Sequence, residues 1–387
     1  MADRFHFSKR KVTIAIFVIA TTGLIIFCFN LHLQSSAFHR PGNEKKKQGF
    51  TDSHRFPVPI DEPSCSPPVD RVVLLKNHKA AGGTLAAIIG RYGYRKDLDF
   101  ALGKSGPFYE TTRLIPFSRK TVLHFKNFDQ YGYQMLTSQA RYNRTELDYV
   151  VPNAKYISII RNPVNHLESV FGFFRMGKKF KLTEFENPLE EFMKKPDFYL
   201  NQSALEYNLP SKLLNNGQLF NFGMEPEDML NSHKVKRKLA EMDSEIDLIL
   251  IAEYFDESMI LMKRFFCWKL SDILYLHENV RNRSEKARYE ISPSLEEKIL
   301  SWNAKDVIMY NHFNKTFWNK VKEYGPSFEK DLAEFRRIQK VDCKTMENTF
   351  KVQNLCEYLQ FRNTRLLREI KFEMTRRSGP PDGFLGW

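Results

Sequence analysis

No CxxC pair and no cysteine–histidine cluster at zinc-ligand spacing occurs anywhere in the sequence, which sets aside zinc fingers and thioredoxin-type redox motifs. No constellation that requires a metal is present. There is no internal repeat, so repeat arrays are excluded. A G-x-x-x-x-G-K-[ST] phosphate loop is also missing. No apolar run ends in an aspartate placed to hold Mg²⁺, as a phosphoryl transferase would require. Acidic residues are in the minority, 46 against 59 Lys and Arg, for a formal charge of +13. Part of that excess is a solvated surface, as in Lys178-Lys179 and Lys234 to Lys238. The rest favours anionic nucleotides, anionic glycans or membrane headgroups as partners.

What is present begins with a membrane segment. Arg4, Lys9, Arg10 and Lys11 precede an uncharged run, Val12 to Leu33, whose apolar centre is long enough to span a bilayer. Ser35-Ser36-Ala37 resembles a signal-peptidase site, but the apolar core exceeds the usual signal-peptide length, so an uncleaved anchor is expected. Basic residues lie on both sides of it, so charge alone does not orient it. Four N-x-[ST] sequons follow, at Asn143, Asn201, Asn282 and Asn314. Cys28 sits in the anchor; Cys65, Cys267, Cys343 and Cys356 remain, an even number that allows three pairings. Sequons and paired cysteines favour a lumenal body, which meets few nucleic acids. Cys343 and Cys356 are close enough to close a short loop, which would leave Cys65 with Cys267. Residues 34–69 are basic and proline-bearing with little apolar periodicity, and read as a stem. The remaining stretch, residues 70–387, suits one large α/β domain with 14% aromatic residues overall to fill its core.

Four apolar runs read as strands: Val72 to Leu75, Thr121 to Phe125, Tyr156 to Ile160 and Leu248 to Ile251. Helical patterns alternate with them, which implies a parallel sheet flanked by helices. Ligands in such sheets bind beyond the carboxyl ends of the strands. After the first strand comes Lys76-Asn77-His78-Lys79-Ala80-Ala81-Gly82-Gly83-Thr84-Leu85, then Ile88, Ile89 and Tyr92 at helical spacing, with Thr84 placed to cap the helix. Strand, small-residue turn and helix start form a cradle for an anion, and Lys79 adds a charge. An ordinary turn with an exposed lysine is the plainer reading of the loop alone.

Arg161 follows the third strand, with Asn162 placed as a helix cap and Pro163 at the first helical position. Ser169 falls opposite the apolar stripe of Leu167, Val170, Phe171 and Phe174. An arginine with a serine hydroxyl near a helix start suits a phosphate. An Arg161–Glu168 surface pair is the plain alternative. His124 lies in an apolar strand context, where histidines are more often structural. It falls late in its strand, however, near where the two anion loops would converge, and histidine is the natural base near neutral pH.

The stretch Leu75 to Leu85 resembles the 5′-phosphosulfate loop of Golgi galactose 3-O-sulfotransferases, and Ile160 to Ser169 is similar to that family's 3′-phosphate motif. Phe255 to Leu261, Cys267-Trp268, Asp272 to Tyr275, Trp302 to Asp306 and Tyr310 to Trp318 resemble the family as well. Gly83 stands where the family often has serine, and Asn162 where it usually has aspartate. The resemblance implies a P-loop-like sulfotransferase fold behind a type II signal-anchor in the Golgi membrane. It implies 3′-phosphoadenosine 5′-phosphosulfate as donor, held by Lys79, Ala80, Ala81, Gly82, Gly83, Thr84, Leu85, Arg161 and Ser169. The acceptor would be the 3-hydroxyl of a galactose on a glycolipid or glycoprotein, no metal would be required, and oligomeric state stays open. His124 is the preferred base and His78 the rival. A non-catalytic glycan-binding protein that kept the fold, and a lumenal phosphoryl transferase, are the other two readings.

Overall fold

The computed structural model describes residues 65–104, 114–126, 128–202, 209–276, 289–361 and 363–382. The expected cytoplasmic tail, anchor and nearly all of the stem, together with Asn282, lie outside the described residues. Among the described residues no helix is long and apolar enough to cross a membrane.

Four parallel strands form the sheet: β1 (Val72–Leu75), β2 (Met135–Leu136), β3 (Lys155–Ile160) and β4 (Leu248–Ile251), in the order β2-β1-β3-β4. Val72 pairs with Lys155 and Leu75 with Ser158; Ile157 pairs with Leu248 and Ile160 with Ile251. The three longer strands are continuous apolar runs, and every residue except Lys155 is buried. A strand buried on both faces needs no polar alternation, which is the pattern of a parallel sheet covered by helices.

The expected strand Thr121 to Phe125 is not part of this sheet. Arg119–Thr121 form a 3-10 turn, and Val122 and His124 make only isolated antiparallel bridges, to Gly103 and Asp382. The edge place is taken by Met135–Leu136, which pair with Val72 and Val73. Both segments are short and apolar; what decides between them is a partner, because only Met135–Leu136 runs parallel beside β1.

Helix α1 (Gly82–Arg95) follows β1, and α2 (Pro163–Phe173) follows β3. Next come the short α3 (Gly217–Asn221), α4 (Phe255–Phe266) after β4, α5 (Pro293–Trp302) and the long α6 (Ala304–Tyr324). The segment past residue 330 is helical too, and ends in α7 (Asn363–Ser378), which packs on the back of α1. There a Cβ on Gly90 would meet Leu366 Cδ2 at 2.8 Å, so glycine allows the close approach.

The entry to β1 is pinned to the end of α4. Cys65 is joined to Cys267 by a disulfide, the Val69 amide donates to the Phe266 carbonyl at 2.8 Å, and Trp268 Nε1 donates to the Val69 carbonyl at 3.0 Å. Trp268 stacks on Tyr92 of α1 with ring centroids 3.8 Å apart. A second disulfide joins Cys343 to Cys356.

Candidate functional site: two anion loops braced by one short helix

The turn between β1 and α1 leaves ordinary backbone space twice. Lys79 and Ala81 have φ of 57° and 60°, the left-handed region that costs a side-chain-bearing residue about 1–2 kcal/mol. Such strain survives only where surrounding contacts hold it, and it gathers at ligand sites. The helix therefore starts one turn earlier than the capping pattern implies: it opens at Gly82, and Thr84 is inside it, with the Thr84 amide donating to the Ala81 carbonyl at 3.1 Å. Thr84 is not the cap. The first turn has no side-chain cap and no acidic residue, so its positive end is presented to whatever binds there. Ala81 and Gly83 are exposed on the rim, while Ala80 and Leu85 are buried beneath. A Cβ on Gly82 would collide with Lys76 Cγ at 2.7 Å, and one on Gly83 would meet nothing within 4 Å. The loop thus offers open space at an uncapped, basic helix start, which fits a phosphosulfate.

Asn162 caps α2 as its chemistry dictates, its Oδ1 accepting from the Val164 amide at 2.9 Å, with Pro163 in the first turn. Helix α2 is not amphipathic in place. His166, Glu168 and Ser169 are buried along with the apolar residues, and α5 packs against this helix. Ser169 is only 4% exposed, so it lies in the packed interior of the motif rather than on an open face. Arg161 stands between the two motifs. Its Nη1 donates to the Lys79 carbonyl at 3.1 Å, and its Nε lies 3.8 Å from Glu253. Lys79 Nζ sits over the exposed ring of Phe173, 3.9 Å from the centroid.

Helix α3 holds both motifs, and sequence reasoning missed it. The Gln218 amide clamps the Arg161 peptide at two points: Oε1 accepts from the Arg161 N–H at 2.8 Å, and Nε2 donates to its carbonyl at 2.7 Å. Asn221 Oδ1 lies 2.7 Å from His78 Nδ1, and Asn221 Nδ2 donates to the Gly217 carbonyl at 2.9 Å. Asp306 in turn accepts from the Gln218 and Leu219 amides at 3.0 and 2.9 Å. Burial pushes the Asp306 carboxyl up to about 7, against the pull of those two amides. The signal was a run of amide side chains among apolar residues, Asn215-Asn216-Gly217-Gln218-Leu219-Phe220-Asn221. Buried amides need partners, and those of Gln218 and Asn221 are in the two anion loops.

The two histidines are placed differently. His78 is buried in the loop, its carbonyl bonded by His166 Nε2 at 3.0 Å. Burial, with Arg161 nearby, lowers the His166 pKa to about 3, so that ring is neutral. His124 makes its ring contacts elsewhere. Nε2 lies 2.9 Å from Asp129 and Nδ1 3.1 Å from Asp382, and the Asp382 amide donates to the His124 carbonyl at 2.9 Å. The Asp129 hydrogen bond, more than the Asp382 bond, raises its pKa above the ordinary histidine value. Among its contacts in the described residues none reaches Lys79 or Arg161. At the end of β4, Glu253 is occupied by the Asn162 amide, Asn165 Nδ2 and the Tyr310 hydroxyl.

Comparison with known proteins places the chain in a family. The galactose-3-O-sulfotransferase family model matches residues 5–366. Galactose-3-O-sulfotransferase 2 of Mus musculus is 32% identical over 274 residues, covering 69% of this chain and 66% of its own. Galactosylceramide sulfotransferase of Bos taurus is 32% identical over 277 residues, with 70% and 63% covered. Galactose-3-O-sulfotransferase 3 of Bos taurus is 29% identical over 291 residues, with 73% and 66% covered. The matched stretch spans just under two thirds of these relatives' length. The chain belongs to the galactose-3-O-sulfotransferase family.

Proposed function

We propose that this protein transfers a sulfuryl group from 3′-phosphoadenosine 5′-phosphosulfate to the 3-hydroxyl of a galactose on a glycolipid or glycan. The observation that carries the reading is the Arg161–Lys79 contact, 3.1 Å, which joins the two basic motifs at the carboxyl end of one sheet. A donor with phosphate at both ends calls for two such motifs at once. Lys79 and the first-turn amides of α1 hold the 5′-phosphosulfate; Gly83 leaves open space for it, and Gly82 lets the loop fold closely on Lys76. Arg161 holds the 3′-phosphate, and Ser169 belongs to the same motif.

The donor supplies a sulfuryl group on a good leaving group. The acceptor oxygen forms the new S–O bond while the bond to the 5′-phosphate breaks and the phosphate takes the electron pair. Lys79 offsets the charge that builds on that phosphate. His78 takes the acceptor proton. The assignment of base moves to His78 because it lies in the same loop as Lys79, whereas both ring nitrogens of His124 face carboxylates. Glu253, already bonded to three groups, is poorly placed to hold Mg²⁺, which disfavours a phosphoryl transferase. We further propose a type II orientation in the Golgi membrane, with residues 12–33 as anchor, 34–69 as stem and 70–387 in the lumen. Two disulfides support an oxidising compartment.

The test is to incubate the full-length protein with labelled donor and a panel of glycolipid and free galactosides. Label at the 3-hydroxyl is expected. Binding of 3′-phosphoadenosine 5′-phosphate or of a galactoside, with no transfer to any acceptor, would replace this reading with a non-catalytic binder.

A further inference from the structure

We infer that Asn221 is a positioning residue that fixes the tautomer of His78, placing the proton on Nδ1 and making Nε2 the proton acceptor; this rests on the reading of the site as a sulfotransferase centre with His78 as base. The Asn221 amide has only one sensible orientation. Its Nδ2 donates to the Gly217 carbonyl at 2.9 Å, so the atom 2.7 Å from His78 Nδ1 is the oxygen. An amide oxygen only accepts, so the ring nitrogen facing it must carry the hydrogen. The other tautomer would set two lone pairs against each other at 2.7 Å in a buried site, where an unmet polar group is costly.

One contact argues the other way. Gln139 Nε2, a donor, lies 3.3 Å from the same ring nitrogen. One hydrogen of that amide goes to the Lys76 carbonyl, and the other is left to face Nδ1 only at the longer distance. A ring nitrogen has a single in-plane position, and the shorter contact to Asn221, 2.7 Å against 3.3 Å, takes it.

The choice of an amide rather than a carboxylate follows from the charges around the ring. Lys79 comes from the same loop, Arg161 from the end of β3 and the neutral His166 from α2. Gln139, from beyond β2, and Asn221 are uncharged. A neutral acceptor orients the imidazole without stabilising its protonated form. A base must be unprotonated before the reaction, and an uncharged partner does not oppose that. Asn221 is itself set in place by α3, whose first amides are held by the buried Asp306.

The experiment uses full-length protein labelled with ¹⁵N-histidine. Long-range ¹H–¹⁵N spectra report which ring nitrogen of His78 carries the proton, with the signal assigned from a His78→Gln variant. Wild type should show Nδ1–H. Asn221→Leu should lose that preference and reduce kcat about 100-fold, because a ring protonated on the wrong nitrogen cannot act as the base. Its affinity for 3′-phosphoadenosine 5′-phosphate should stay within about twofold, which separates lost positioning from lost binding. Asn221→Asp should keep Nδ1–H while moving the acid limb of the pH–rate profile upward, because a carboxylate favours the imidazolium. An Nε2–H signal in wild type overturns the inference. So does Asn221→Leu with unchanged kcat. If Asn221→Leu does not fold, an unmoved acid limb in Asn221→Asp overturns it instead. Absence of sulfuryl transfer by wild type would sink the sulfotransferase reading, and the tautomer spectrum reports independently of that.

Discussion

A Cβ placed on Gly82 meets Lys76 Cγ at 2.7 Å and the Asn77 carbonyl at 3.1 Å, whereas one placed on Gly83 meets nothing within 4 Å. The lysine side chain can move, but the carbonyl is loop backbone, so the loop itself must shift in Gly82→Ala. We expect Gly82→Ala to weaken 3′-phosphoadenosine 5′-phosphate binding about tenfold, roughly 1.4 kcal/mol. Gly83→Ser should bind at least as well as wild type, since its hydroxyl stands on an exposed rim. Calorimetric titration of both variants checks this, and a loss in Gly83→Ser equal to that in Gly82→Ala would refute it. Arg161→Ala should cost about 2–3 kcal/mol of binding, or roughly 30- to 150-fold, as a phosphate loses a charged partner. The same guanidinium bonds the Lys79 carbonyl, so Arg161→Lys should not restore affinity; a point charge lacks the fork that makes two contacts. Full rescue by lysine would count against this account.

At the scale of elements, Asp306 and His124 each hold a segment through a titratable group. Asp306 accepts from two α3 amides. Asp306→Asn would present an amide N–H to a backbone N–H, costing about 1–3 kcal/mol for the unmet group. Because α3 carries Gln218 and Asn221, both ligand affinity and turnover should fall, and a thermal melt with titration on the same sample checks it. Loss of stability with binding intact would mean α3 does not brace Arg161. His124 ties Asp382, just past α7, to the body. Its pKa is raised in the folded protein, so its contribution is fully present below the free histidine value and is lost as pH rises through the raised one. Residues 363–382 should show higher hydrogen-exchange protection at about pH 6 than at about pH 8, and His124→Ala should remove the difference. A folded His124→Ala protein with turnover lost would restore His124 as the base. These elements also mark what the sequence made legible. Strands β1, β3 and β4 announce themselves as buried apolar runs, and the two anion loops by their small and basic residues. Met135–Leu136 is too short to carry a pattern, and Thr121 to Phe125 looks like a strand but finds no parallel neighbour. The roles of Gln218, Asn221 and Asp306 depend on contacts between residues far apart in the chain, which no local pattern encodes.

For the whole molecule, the two disulfides and the sequons bear on the proposed lumenal orientation. Cys65 and Cys267 are 202 residues apart and Cys343 and Cys356 only 13. By loop closure the first is worth about 5 kcal/mol and the second about 3. Replacing Cys65 and Cys267 by serine should therefore lower the melting temperature more than replacing Cys343 and Cys356. The opposite order would show that local packing, not chain entropy, decides. Glycan attachment gives the sharper prediction. The oligosaccharide bonds the asparagine Nδ2, so an occupied residue must present that amide to solvent. Asn143 is half-buried at the start of the helix Arg144–Val150, and its Nδ2 donates to the Phe117 carbonyl at 3.0 Å. Asn314 is half-buried within α6, with its Oδ1 shielded from solvent. Asn201 is exposed near the end of the helix Pro196–Gln202. We expect glycosidase treatment to increase the gel mobility of protein made in animal cells, and peptide mass spectrometry to find Asn201 occupied and Asn143 and Asn314 free. Asn201→Gln should remove part of the shift. Occupancy of Asn143 in folded protein would contradict the packing around Phe117, and a body that carries no glycan and is cut by cytosolic protease would reverse the proposed orientation.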